Sequence, residues 1–92
     1  MTQAEKLTIL KQNLQMITDA NDEFLNKLLE QSSAAIKTEG IRLEENNIEC
    51  DMAVIDYAAY LFRKRASQDT AMPRFLRYNL NNLLFKQKGG RL

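Results

Sequence analysis

Leucines stand at positions 7, 10 and 14 with polar residues between them, the spacing of one helical face. Thr2-Gln-Ala-Glu5 precedes the stripe and has the form of a capping box, in which hydroxyl and carboxylate each satisfy a free backbone N–H. A first helix is therefore expected to start at Thr2. The run MITDAND (16–22) breaks the pattern and offers N-caps between Thr18 and Asn21. Asp22 and Glu23 then suit the positive end of a second helix. In it Leu25, Leu28, Leu29, Ser32 and Ile36 repeat as i, i+3, i+4, i+7 and i+11. That spacing predicts one buried face, with the small Ser32 where another helix can come close, and Gly40 is a natural stop.

IRLEENN (41–47) reads as a polar connection anchored by Ile41 and Leu43. Asn47 can cap a third helix from about Ile48 to Ala66. Its predicted seam is Ile48, Met52, Ile55, Ala59 and Phe62, widened by Val54, Ala58 and Leu61. An apolar arc this wide belongs to the central helix of a bundle, and Arg63, Lys64 and Arg65 suit the negative end of its dipole. SQDTAM (67–72) breaks the pattern again. Pro73 fits the first turn of a fourth helix, where its missing N–H is harmless. Leu76, Leu80, Leu83 and Leu84 form the inner face, with Tyr78, Asn81 and Lys88 elsewhere on the wheel. KQKGGRL (86–92) lacks periodicity and reads as a flexible tail. The expectation is an all-α, compact bundle of about four helices: one domain over residues 1–85, then a C-terminal tail at 86–92.

Composition agrees with helix. Three glycines and one proline in 92 residues are too few turn formers for a sandwich or barrel, and 45% hydrophobic content suits a packed domain. No apolar run has the length of a membrane span, and MTQAEKLTIL lacks the charged-then-apolar order of a signal peptide. An intracellular protein with no membrane partner is expected. There is no histidine, which removes the commonest general base and metal ligand. The single cysteine, Cys50, excludes an internal disulfide and a thiolate-rich metal site. With no Gly-rich phosphate loop either, the chain is read as a non-enzyme without catalytic residues, metal or cofactor.

Net charge changes the picture more. Residues 1–56 carry five Lys/Arg against eleven Asp/Glu, a net of −6, and residues 57–92 carry eight against one, a net of +7. Such polarity suits either a nucleic-acid contact or a head-to-tail contact between unlike faces. RKRASQDTAMPRFLRY (63–78) concentrates five positive charges. A helix-turn-helix could use it to place the fourth helix in a major groove, but only Arg74, Arg77, Asn79, Asn81 and Asn82 are suited to base edges. Solvated or protein-facing charge is the favoured reading. Tyr57, Tyr60, Phe75 and Tyr78 are read as packing or interface residues before base-stacking ones. Cys50, flanked by Glu49 and Asp51, reads as an unreactive buried or half-buried thiol. The asparagines at 79, 81 and 82 divide evenly between solvent-facing or capping roles and bonds to a partner's backbone. Glu44, Glu45, Glu49 and Asp51 match no calcium loop and read as a solvated acidic face, a candidate to meet the basic one on a neighbour.

Three segments, in order, carry a resemblance: the acid-capped ITDANDEFLNKLLEQSSAAI, the alanine- and tyrosine-rich AVIDYAAYLFRKR, and the Pro-started AMPRFLRYNLNNLLF. Over about residues 5 to 85 the chain resembles the small head–tail connector (adaptor, or head-completion) proteins of tailed bacteriophages. The resemblance implies a helical-bundle subunit of a ring, usually of twelve, that sits beneath the portal at the head vertex and extends the DNA channel. Implied partners are further copies of itself, the portal protein and a stopper or tail-completion protein. Genome DNA passes through without being read. The implied location is the virion, after synthesis in the host bacterial cytoplasm. Arg63, Lys64, Arg65, Met72, Pro73, Arg74 and Arg77 match the best-marked stretch. C-terminal segments in such proteins often reach the portal, which gives Lys86, Lys88 and Arg91 a partner-binding role. The alternative is a small helical DNA-binding regulator using the basic C-terminal half.

Overall fold

The capping box forms as the sequence predicts. Glu5 N–H donates to Thr2 Oγ1 at 3.1 Å, and Thr2 N–H donates to Glu5 Oε1 at 2.9 Å. These bonds satisfy two donors that a helix start leaves free, and they launch α1 (Gln3–Asn13). The computed structural model describes residues 1–89, which form three further helices: α2 (Asp22–Thr38), α3 (Ile48–Ala66) and α4 (Arg74–Gly89). No strand occurs among the described residues.

Contacts between chain-distant residues set the topology. Met1 lies on Asp51 and Asn13 on Arg63, so α1 runs parallel to α3. Phe24 lies on Arg65 and Glu49 on Lys86, so α2 and α4 run antiparallel to α3. The result is an up-down-up-down arrangement with α3 packed against all three other helices. α4 makes its main contact with α3 alone.

The buried face of α2 is the predicted one: Leu25, Leu28, Leu29, Ser32 and Ile36. Ser32 is fully buried, and its hydroxyl donates to the Leu28 carbonyl at 2.7 Å, so its polar atom goes inward without loss. Gly40 follows with φ +96°, a backbone that side-chain-bearing residues rarely adopt.

The seam of α3 differs from expectation. Asn47 Oδ1 accepts from the N–H groups of Glu49 and Cys50, as predicted for the cap, but this leaves Ile48 in the first turn and 60% exposed. Met52, Leu61 and Phe62 are half-buried, whereas Cys50, Asp51, Ala53 and Tyr60 are buried beside Val54, Ile55, Ala58 and Ala59. Three neighbouring helices cover an arc rotated from the one that apolar spacing suggests. Asp51 tolerates its burial because the Met1 ammonium lies 3.1 Å away and Lys6 3.8 Å away. The alanines at 53, 58 and 59 permit close helix approach.

In α4 the predicted inner face holds, with Leu76, Leu80 and Leu83 buried and Leu84 half-buried. Pro73 immediately precedes the helix, its carbonyl accepting from Leu76 and Arg77 N–H. The boundary of the tail moves. Residues 86 to 89 are helical, because the Gln87 side chain donates to the Arg42 carbonyl at 2.8 Å and accepts from Arg42 N–H at 2.9 Å. Periodicity of apolar residues gives no hint of such a polar tie. The remainder of the expected tail, residues 90 to 92 with Arg91, lies outside the described residues.

Candidate interaction surface

The basic stretch begins where α3 runs out. Arg63, Lys64 and Arg65 are all exposed in the last turn, where their charge opposes the helix's negative end. Each is also steadied from below. Arg63 Nη2 donates to Asn13 Oδ1 at 2.9 Å, Lys64 Nζ donates to Tyr60 Oη at 3.2 Å, and the Arg65 guanidinium stacks 4.5 Å above the Phe24 ring. Among the described residues no carboxylate lies within ion-pairing distance of the three, so their charge is presented to solvent. Half-buried Asp56 sits two turns below Arg63 on the same helix. Burial pushes its carboxyl above the usual aspartate range, and Arg63 pulls it part of the way back.

A loop over residues 67–73 leads to the second part. Met72 and Pro73 are half-buried and Arg74 is exposed. Arg77 is not free. It forms a two-pronged pair with Glu39 at 2.7 and 3.1 Å, tying α4 to the end of α2, and the Glu39 carboxylate holds its guanidinium above its already high range. Tyr57 is nearby, stacked edge-on to Tyr60 with ring centroids 5.9 Å apart, its hydroxyl raised by burial and then by Glu39. The two tyrosines are packing residues, as expected.

Lys86 and Lys88 lie about 18 and 21 Å along α4 from its start, too far to share a contact with the α3 terminus. Lys86 pairs with Glu49 at 3.1 Å, whereas Lys88 is exposed. The ten sequence-selected residues therefore divide. Arg63, Lys64, Arg65 and Arg74 lie toward one end of α3 as free charge, and Met72 and Pro73 are half-buried between them. Arg77 and Lys86 are paired within the molecule, Lys88 stands apart, and Arg91 lies outside the described residues. Because Arg77–Glu39 and Lys86–Glu49 each join an early acid to a late base, the fold cancels part of the polarity seen along the chain.

Of an aromatic stripe on α4, sequence reasoning picked out Phe75 and Tyr78 as packing or interface residues but missed Phe85. Phe75, Tyr78 and Phe85 are 56, 67 and 75% exposed, on the side of α4 opposite its leucines. The spacing 75, 78, 82, 85 is itself helical, but the leucine period is stronger and claims the helix for one face only. Cys50 is buried, with its thiol 3.7 Å from the Arg42 carbonyl. Among the described residues no three Cys, Asp or Glu side chains are grouped to hold a metal ion, and no helix is long and apolar enough to cross a membrane. The chain matches no family model, no curated protein and no solved structure.

Proposed function

We propose that this chain is a head–tail connector (adaptor) subunit of a tailed phage, a non-enzymatic structural protein of the virion. In this reading it assembles as a ring, of twelve copies by its resemblance, under the portal protein and above a stopper or tail-completion protein. Genome DNA passes through the channel without sequence reading. The observation that carries the reading lies in the stretch of strongest resemblance. There Arg63, Lys64, Arg65 and Arg74 carry free charge and the rings of Phe75 and Tyr78 are exposed. Exposed aromatics beside arginine are the composition of a protein interface.

The alternative, a DNA-binding regulator, draws on the same residues but finds fewer free cations than the sequence offers, since Arg77 and Lys86 are paired internally. It requires affinity for duplex DNA that falls steeply with salt. The connector reading is tested by electron microscopy of lysates from a phage lacking the coding region. Filled or packaging-competent heads separate from finished tails are expected. Normal infectious particles would overturn it.

A further inference from the structure

α4 is amphipathic twice over. Its leucines face α3, while Phe75, Tyr78 and Phe85 line the outer side. An exposed apolar patch of this size on so small a protein calls for an occupant. The helix also carries Arg74, Arg77, Lys86 and Lys88 and no acid. An antiparallel pairing of two such stripes would lay one wholly basic helix along another, so self-pairing is disfavoured by charge. The occupant must bring carboxylates together with apolar surface.

The chain has such a receptor elsewhere. A cleft of about 470 Å³ opens between the start of α1, the turn at 43–46 and the start of α3. Glu5, Glu44, Glu45 and Asp51 line it, with Leu43 and Val54 among its apolar residues. Among the described residues only Lys6 and the Met1 ammonium oppose the four carboxylates there, which leaves the cleft negative. Asp51 and Val54 point to this cleft, whereas Glu49 and Ala53 border α4, so cleft and stripe lie on different sides of α3. One molecule cannot bring its own two surfaces together.

We propose that Arg74, Phe75 and Tyr78 of one copy seat in the acidic cleft of the next, a head-to-tail contact between unlike surfaces. Such contacts generate a ring when the rotation closes and a filament when it does not. The inference deepens the connector reading and rests on it only for the ring; the contact itself belongs to the chain alone.

The test uses two variants of the full chain and sedimentation velocity at low ionic strength. The stripe variant carries Arg74→Glu, Phe75→Ser and Tyr78→Ser; the cleft variant carries Glu44→Lys and Glu45→Lys. All five positions are exposed, so circular dichroism should show unchanged helix content. If the triple variant loses helix, Arg74→Glu alone replaces it, with an expected weakening of about tenfold or more. The wild-type chain should associate as concentration rises toward the order of 1 mM. Each variant alone should remain monomeric. Mixed in equal amounts they should form a dimer that grows no further, because one intact stripe meets one intact cleft. A wild-type chain that stays monomeric, a variant that still associates alone, or a mixture that stays monomeric would each overturn the contact. These outcomes are separate from the deletion phenotype, which tests the connector role whether or not this contact exists.

Discussion

Leu80 and Tyr78 stand two residues apart on α4 and should respond to truncation in opposite ways. Leu80 is 0% exposed, whereas Tyr78 is 67% exposed. Leu80→Ala removes three buried carbon atoms and leaves a void that the surroundings fill only in part. Fully buried leucines cost roughly 2.7 to 5.0 kcal/mol on this change, depending on how far the site collapses. Because α4 leans mainly on α3, it can shift inward more easily than a helix held on several sides. The lower part of the range, about 3 kcal/mol, is expected. A chain of this length has a total stability of roughly 5–14 kcal/mol, so the loss is a large fraction. In a thermal melt it corresponds to a drop of roughly 12–24 °C. Tyr78→Ala should fall within about 0.5 kcal/mol of wild type. Urea denaturation of both variants, followed by circular dichroism, measures the pair. Equal losses, or a larger loss for Tyr78, would refute the assignment of the two faces of α4.

Three further outcomes follow from the geometry. Asp56→Asn should stabilise the protein at neutral pH, since burial disfavours the charged carboxylate despite Arg63. Because the folded-state value is raised, the native protein holds its proton longer. Wild-type stability from this group is thus fully present below about pH 3.9 and lost as pH rises through the elevated value. The gap between variant and wild type should accordingly widen with pH in melting curves, and a gap independent of pH would contradict the cause. Gly40→Ala should destabilise by about 1–2 kcal/mol through backbone strain at φ +96°, since the nearest side-chain atom, Leu84 Cδ1, leaves ordinary room for a methyl group at 3.6 Å. A neutral or stabilising result in urea would show that the turn relaxes. Finally, a double-mutant cycle on Glu39→Gln and Arg77→Met should give a coupling of about 0.5–1 kcal/mol that shrinks in high salt, as befits a partly exposed two-pronged pair. Zero coupling at low salt would remove that pair from the ties holding α4.

Much of this architecture is legible in the sequence because local rules and tertiary packing agree. The face of α2 is an example: each apolar position demands the same neighbour, and the one serine fits by bonding its own helix. The seam of α3 is legible only in part. Hydropathy cannot tell that Ile48 lies in an uncovered first turn, or that Asp51 is made acceptable by Lys6 and an ammonium fifty residues away. The end of α4 is lost for a similar reason. Gln87 holds the last turn by hydrogen bonds to the backbone of Arg42, and a distant polar partner leaves no periodic trace. On the surface, charge alone selects Arg77 and Lys86 together with Arg74, although two of the three are paired inside the molecule. The aromatic stripe is legible in part: Phe75 and Tyr78 stand out as packing or interface residues, but Phe85 does not, because a helix with two apolar faces presents its stronger period first.

The lopsided packing of α3 and α4 has a consequence for how the protein breathes. α3 is gripped by all three other helices, while α4 packs mainly on one and is tied elsewhere by polar side chains. Amide protons in the middle of α3 can meet solvent only when the whole domain opens, but those of α4 need only that helix to lift away. Hydrogen–deuterium exchange should therefore label α4 well before α3. A closing helix that detaches on its own carries its exposed aromatics with it, so that a partner binding there would also bolt the loosest part of the fold in place.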